Sequence, residues 1–302
     1  MVIALTTANK VVKEAQYTSY PVADPNPVFV NIGDTEDFNV SRLINTIKPG
    51  KLGIETKYKI MRVGNRYRLA MKIYPTDTIF LAKCINLSSD DVTNNRDQPL
   101  TLFLSQLMDD GAGTLEERYV IADNALCNSC KIDVSAESLL SISTEHFVRQ
   151  ILKPNPTSGF PNTPVFATPL TVEPLSNLSP GTQPFSYNGT DAEYMSISAT
   201  INNGTKEPQA GGDGNILGVV QMTKEVSLDV TVFPDGNITD TMLDDLDQGV
   251  KRTCELNISG THKIVFDTLQ WESMEEQISQ SSGDVKMYTF KGTPINATVT
   301  TI

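Results

Sequence analysis

The stretch Met222-Thr-Lys-Glu-Val-Ser-Leu-Asp-Val-Thr-Val-Phe233 decides the class of fold. Val226, Leu228, Val230 and Val232 fall on one side, while Thr223, Glu225, Ser227, Asp229 and Thr231 fall on the other. A period of two is the pattern of a half-buried strand with one wet face. Arg66 to Tyr74 repeats it, with Tyr67, Leu69, Met71 and Ile73 opposite Arg66, Arg68 and Lys72. Tyr194 to Ile201 sets Met195, Ile197, Ala199 and Ile201 against Ser196, Ser198 and Thr200. Lys251 to Ser259, His262 to Leu269 and Val285 to Lys291 read as further strands. The expectation is a mainly β protein.

Two short helices interrupt the strands. One runs from Thr78 to Ile85 behind the polar start Thr76-Asp77, which can cap free N–H groups. The other runs from Thr239 to Gln248, with Met242, Leu243 and Leu246 inward and Gly249 as terminator. Each follows a strand that ends in an aromatic residue and a proline, Ile73-Tyr74-Pro75 and Val232-Phe233-Pro234. This is a weak internal repeat, compatible with a fold used twice in tandem. Between the halves, eight of the 17 prolines fall from Pro154 to Pro184. Such a segment cannot be a central strand or a helix. Its apolar residues Phe160, Val165, Phe166, Leu170 and Phe185 favour an arm that docks on something over a bare linker. The expected layout is a β domain over 1–153, a Pro-rich arm over 154–191 and a second β domain over 192–302.

The composition narrows the function. With 24 Lys and Arg against 36 Asp and Glu, the formal charge is −12. Gripping nucleic acid by its phosphates needs the opposite balance. No apolar run reaches membrane-span length, and Met-Val-Ile-Ala-Leu-Thr-Thr lacks the basic start and apolar stretch of a signal peptide. Eight Asn-x-Ser/Thr sequons would suit a secreted glycoprotein, but the start does not support secretion.

Chemistry is thin in the sequence. Cys127 and Cys130 form a C-x-x-C, and Cys84, Cys254, His146 and His262 stand apart from it. A structural zinc site needs four ligands, and no second pair of this spacing exists, so the thiols read as half-buried residues of a reducing compartment. No phosphate-binding loop, nucleophile elbow or H-E-x-x-H motif is present. Asp244, Asp245 and Asp247 read as the solvated side of a helix. The expectation is a non-enzyme with no catalytic residue, no metal and no cofactor.

The order of motifs resembles the major tail tube proteins of long-tailed, siphovirus-like bacteriophages and related archaeal viruses. It rests on Tyr119 to Val134 (YVIADNALCNSCKIDV), the strand Leu139 to Val148, the Pro-rich arm, and Met195 to Asn203. The alternating strand Val226 to Val232 with its helix and Arg252 to Ile258 complete it, over about Leu115 to Pro294. The resemblance implies a β-sandwich or barrel with flanking helices, whose copies join edge to edge into a ring around a wide channel. Rings would stack into a tube that meets other tail proteins at its ends and passes DNA without specific binding. Tandem folds would make the ring a trimer with pseudo-sixfold symmetry; a single fold would make it a hexamer. The setting implied is the virion tail, after assembly in the host cytoplasm, without a membrane.

On this reading Thr223, Glu225, Ser227, Asp229, Thr231, Arg66, Arg68 and Lys72 face the lumen or an interface. The cations would pair with acidic faces such as Glu225 and Asp229. Phe160, Val165, Phe166, Leu170 and Phe185 would clamp a neighbouring subunit. The competing expectation is a secreted or cell-surface β-sandwich adhesin, against which the lone Trp271 counts, because sugar platforms usually need several exposed aromatics.

Overall fold

The computed structural model describes residues 11–18, 28–47, 61–85, 100–109, 115–135, 138–152, 185–206, 220–221, 223–234, 237–279 and 285–301. The protein is mainly β. Its first strands are β1 (Val11–Thr18), β2 (Val30–Ile47) and β3 (Met61–Pro75), followed by helix α1 (Thr78–Ile85). Then come β4 (Leu100–Asp109), β5 (Leu115–Ser135) and β6 (Ser138–Leu152). The later half holds β7 (Phe185–Tyr187), β8 (Thr190–Ala192), β9 (Tyr194–Asn202), β10 (Thr205–Lys206) and β11 (Val220–Gln221). β12 (Glu225–Val232), helix α2 (Asn237–Gln248), β13 (Lys251–Asn257), β14 (His262–Ser279), β15 (Val285–Thr293) and β16 (Asn296–Thr301) complete it.

The first six strands close on themselves in the order β4-β1-β2-β3-β6-β5, with β5 paired back to β4. This is an antiparallel barrel. The later strands run β9-β12-β15-β14-β13-β7-β8, and β8 leads into β9 across Glu193 alone, which brings this circuit round as well. The two circuits match step for step: β1 with β7, β2 with β8–β9, β3 with β12, β4 with β13, β5 with β14 and β6 with β15.

Register makes the match residue-specific. In β2 an extra residue at Glu36 falls between Thr35↔Ile73 and Asp37↔Lys72; in β9 the extra residue is Met195, between Tyr194↔Val232 and Ser196↔Thr231. β5 bulges between Cys127 and Ser129, and β14 bulges between Trp271 and Ser273. The rare positive φ values of Asn124 (53°) and Thr268 (53°) fall at the same step of β5 and β14. Bulges and left-handed residues bend a strand at chosen points, so their recurrence marks one design used twice.

Local chemistry accounts for both helices. Asp77 Oδ1 accepts from Ile79 N–H at 2.9 Å and Oδ2 from Phe80 N–H at 3.3 Å, and Tyr17 Oη donates to Oδ2 at 2.7 Å. Gly249, with φ 65°, ends α2 and lets Val250 N–H reach the Asp245 carbonyl at 2.9 Å. One apolar core runs through both circuits, from Leu69, Phe80 and Ile132 to Leu228, Phe266 and Trp271. Lys224 fastens them further. Its Nζ donates to the Ile85 carbonyl at 2.6 Å, the Ala297 carbonyl at 2.7 Å and Asn296 Oδ1 at 2.8 Å.

The Pro-rich arm over 154–184, with Phe160, Val165, Phe166 and Leu170, lies outside the described residues. The end of the expected arm is ordered strand. Phe185, expected to touch a neighbour, opens β7, is wholly buried in its own core and meets Tyr194 edge-on at 6.3 Å between ring centres.

Candidate functional site

The two circuits are joined by a β-ladder. β5 is long enough to change partners along one edge: Leu115 to Ala125 pairs with β4, and Ser129 to Ser135 pairs with β9. The change falls at the bulge after Cys127. β9 reciprocates, because its edge is open once β8 has parted from β7. The ladder runs from Ser129↔Asn202 to Ser135↔Ser196, and Ser198 Oγ donates to Asp133 Oδ1 at 2.7 Å across it.

The repeat leaves the counterparts of this joint at opposite ends of the molecule. β2 leaves β1 after Gly33, and Asp34 to Ile47 then pairs with β3 alone among the described residues. β14 leaves β13 after Gln270, and Trp271 to Ser279 then pairs with β15 alone among the described residues. Register equates Asp37–Leu43 with Ser196–Asn202, and Ser273–Ser279 with Ser129–Ser135. One free edge is therefore the image of β9 and the other the image of β5. Unpaired strand edges are templates for further strands.

The ladder also merges the polar sides of both circuits into one surface. Lys72, Ser143, Lys131, Thr200 and Ser227 form one cross-strand row. Ser141, Asp133, Ser198, Asp229, Lys291 and Ser273 form the next. Glu225 and Ser227 are exposed strand residues of this surface, Thr231 is half-buried beside Thr289, and Thr223 is exposed just before β12. Arg66 pairs in register with Leu43 at the β2 edge of β3.

Arg68 and Lys72 find partners within their own circuit. Arg68 pairs with Glu145 at 2.8 Å and stacks over Phe147, and Lys72 pairs with Glu36 at 2.6 Å. Glu225 and Asp229 lie several strands further along the same sheet, too far for these side chains. Lys131–Asp133 at 2.8 Å and Lys291–Glu275 at 2.7 Å continue the pattern. Pairs this exposed contribute little to stability. Their consequence is for surface charge: Arg68, Lys72, Lys131 and Lys291 are matched in place, and Asp37, Glu225 and Asp229 add acid.

No protein-family model matches the chain, and no curated protein matches it.

A second constellation lies inside the first circuit. Cys84 at the end of α1, Cys127 on β5 and His146 on β6 are buried, with their ligand atoms within 4.8 Å of one another. Neither ring nitrogen of His146 has a hydrogen-bond partner among the described residues. Leaving a buried donor or acceptor unsatisfied costs roughly 1–3 kcal/mol. Burial holds the His146 imidazole neutral, with its pKa lowered to about 4. The thiol of Cys84 is pushed up by its contact with Cys127 and by burial, and that of Cys130 by burial and by Cys127. Sequence reading missed this group because only the C-x-x-C is local; Cys84 and His146 arrive from other elements.

Proposed function

We propose that this protein is a structural virion protein whose copies join head to tail into rings, stacked as a tail tube through which viral DNA passes. The observation that carries the reading is the β5–β9 joint together with two free edges of matching register. A chain that already joins two like circuits by an edge-to-edge ladder, and presents the images of both joining edges, is built to repeat the contact with another copy. Such a contact is heterologous, so it closes into a ring when the rotation per step divides a full turn. Two circuits per chain favour three chains in a ring of pseudo-sixfold symmetry.

The polar surface supports the same reading. Continued across each new joint it lines the ring with hydroxyls, paired ions and surplus carboxylates. Like charge keeps phosphates from adhering, which suits DNA that must slide. The Pro-rich arm is assigned to contacts between subunits. Contacts with other tail proteins fall at the tube ends, and assembly belongs to the host cytoplasm.

The internal joint gives the register for a direct test. Asn39 of one copy should face Gln277 of the next, as Ser198 faces Asp133 within the chain, with Cβ atoms about 4.5–5.5 Å apart. The double variant N39C/Q277C should form a ladder of disulfide-linked multimers on mild oxidation, ending at the closed ring. Negative-stain images of concentrated protein should show rings or hollow tubes about 100 Å across, the span of about six small domains. D133C/S198C should crosslink within the chain and serves as the geometric control. Monomers in both experiments, with the control crosslinked, would sink the proposal.

A further inference from the structure

We propose that Cys84, Cys127 and His146 bind a zinc ion inside the first circuit, with the adjacent Cys130 as fourth ligand. The three nearest ligand atoms already lie within 4.8 Å of one another. Zn–S bonds of about 2.3 Å and Zn–N bonds of about 2.0 Å in a tetrahedron set ligand atoms about 3.5–3.8 Å apart. Drawing these three together therefore asks for side-chain movements of about an ångström, and Cys130, buried three residues on in the same strand but outside that group, would swing in to complete the site. The donors are thiol sulfur and imidazole nitrogen with no carboxylate, a set that selects zinc over calcium or magnesium.

Ordinary core packing does not account for the group. His146 is wholly buried, yet both its ring nitrogens lack partners among the described residues. A bound metal would occupy one of them. The bulge in β5 has a second role here. Residues three apart in a regular strand point to opposite faces, but the extra residue between Cys127 and Ser129 turns Cys127 and Cys130 both inward.

The backbone around the ligands is clamped. Asn203 Nδ2 donates to the carbonyl of Cys84 at 3.0 Å and to that of Cys127 at 3.1 Å. One buried amide thus ties together the two segments that carry the thiols. The second circuit shows how the same place is filled without a metal. Register puts Trp271 opposite Gly292 where the first circuit puts Cys127 opposite His146. The barrel needs no polar atoms there to pack. Zinc binding would release the thiol protons to solvent and change no oxidation state.

The test uses the full chain without a histidine tag, purified in reducing, zinc-replete buffer. Elemental analysis should find about one zinc per chain. Cobalt(II) added to demetallated protein should give visible bands of a tetrahedral thiolate site, lost on zinc addition. Cys127→Ser and His146→Gln should lose the metal, whereas Cys254→Ser, a buried thiol of the other circuit, should keep it. If the ligand variants do not fold, wild-type zinc content and the cobalt spectrum decide alone. Wild-type protein with less than a tenth of an equivalent of metal and no cobalt bands would overturn the site, as would a Cys84–Cys127 disulfide in its place.

Discussion

Gly292 lies directly beneath the indole of Trp271: a Cβ on it would sit 2.7 Å from Trp271 Cε3 and 2.7 Å from the Gln270 carbonyl oxygen. Trp271 is the chain's only tryptophan, and it is buried between Tyr187 and Phe290. Its size is accommodated because the facing residue has no side chain. Gly292→Ala should therefore overpack this core and lower unfolding stability by about 1–3 kcal/mol. Chemical denaturation followed by tryptophan fluorescence would measure it, and an unchanged midpoint would contradict the close fit.

Asp245 organises the floor of the same core. Its carboxylate takes Arg252 Nε at 2.9 Å, Arg252 Nη2 at 3.1 Å and Tyr187 Oη at 2.9 Å, and Tyr187 in turn accepts Trp271 Nε1–H at 3.1 Å. Burial pushes the Asp245 carboxyl up, but the Arg252 guanidinium and the Tyr187 hydroxyl outweigh it and hold the pKa below the usual value. Because the folded pKa is the lower one, this contribution is present above the unfolded value of 3.8 and is lost as pH falls through the folded one. Asp245→Ala should cost about 2–3 kcal/mol, since Tyr187 and Arg252 lose their shared acceptor. It should also shift Trp271 emission. A fluorescence-monitored acid titration of both proteins checks the sign.

Thr268 is a β-branched residue at φ 53°, a region that such side chains rarely adopt. At the same step of the first circuit stands Asn124, one of the residues that tolerate it. Thr268→Asn is expected to raise stability by about 1 kcal/mol, read as a higher denaturant midpoint at unchanged slope. Thr268→Val, which gains no such tolerance, should not.

Lys224 is held charged by three neutral oxygens rather than by a carboxylate. Burial lowers its pKa from 10.5 to about 8. Between those values the unfolded chain keeps the proton that the folded one releases, so the contribution of Lys224 to stability should rise with pH from about 8 towards 10. The full shift corresponds to about 3 kcal/mol; the partly exposed ammonium reduces this to about 1–2 kcal/mol. The buried thiols of Cys84, Cys130 and Cys254, pushed up by their surroundings, act in the opposite direction over this range. The Lys224 contribution is therefore read as the difference between wild type and Lys224→Met at pH 8 and pH 10: wild type should gain relative to the variant, and parallel curves would refute it.

Much of the fold was legible in the residues themselves. Val226 to Val232 and Leu69 to Ile73 alternate because each strand has one core face and one wet face. Asp77 and Gly249 bound their helices through contacts only a few residues long. Reading by period lost the thread at Asn128 and Glu272, where an inserted residue swaps the faces of a strand.

What the sequence by itself determined is the β character, the helix ends and the acidic balance, all set by interactions between near neighbours. Only the tertiary structure decided that β5 leaves β4 to pair with β9, that β2 and β14 keep the matching edges open among the described residues, and that Cys84 and His146 meet Cys127. Those outcomes depend on which strand edges meet in three dimensions and on where bulges bend them. Edges carry only backbone groups, which are the same at every residue, so no side-chain pattern records the choice.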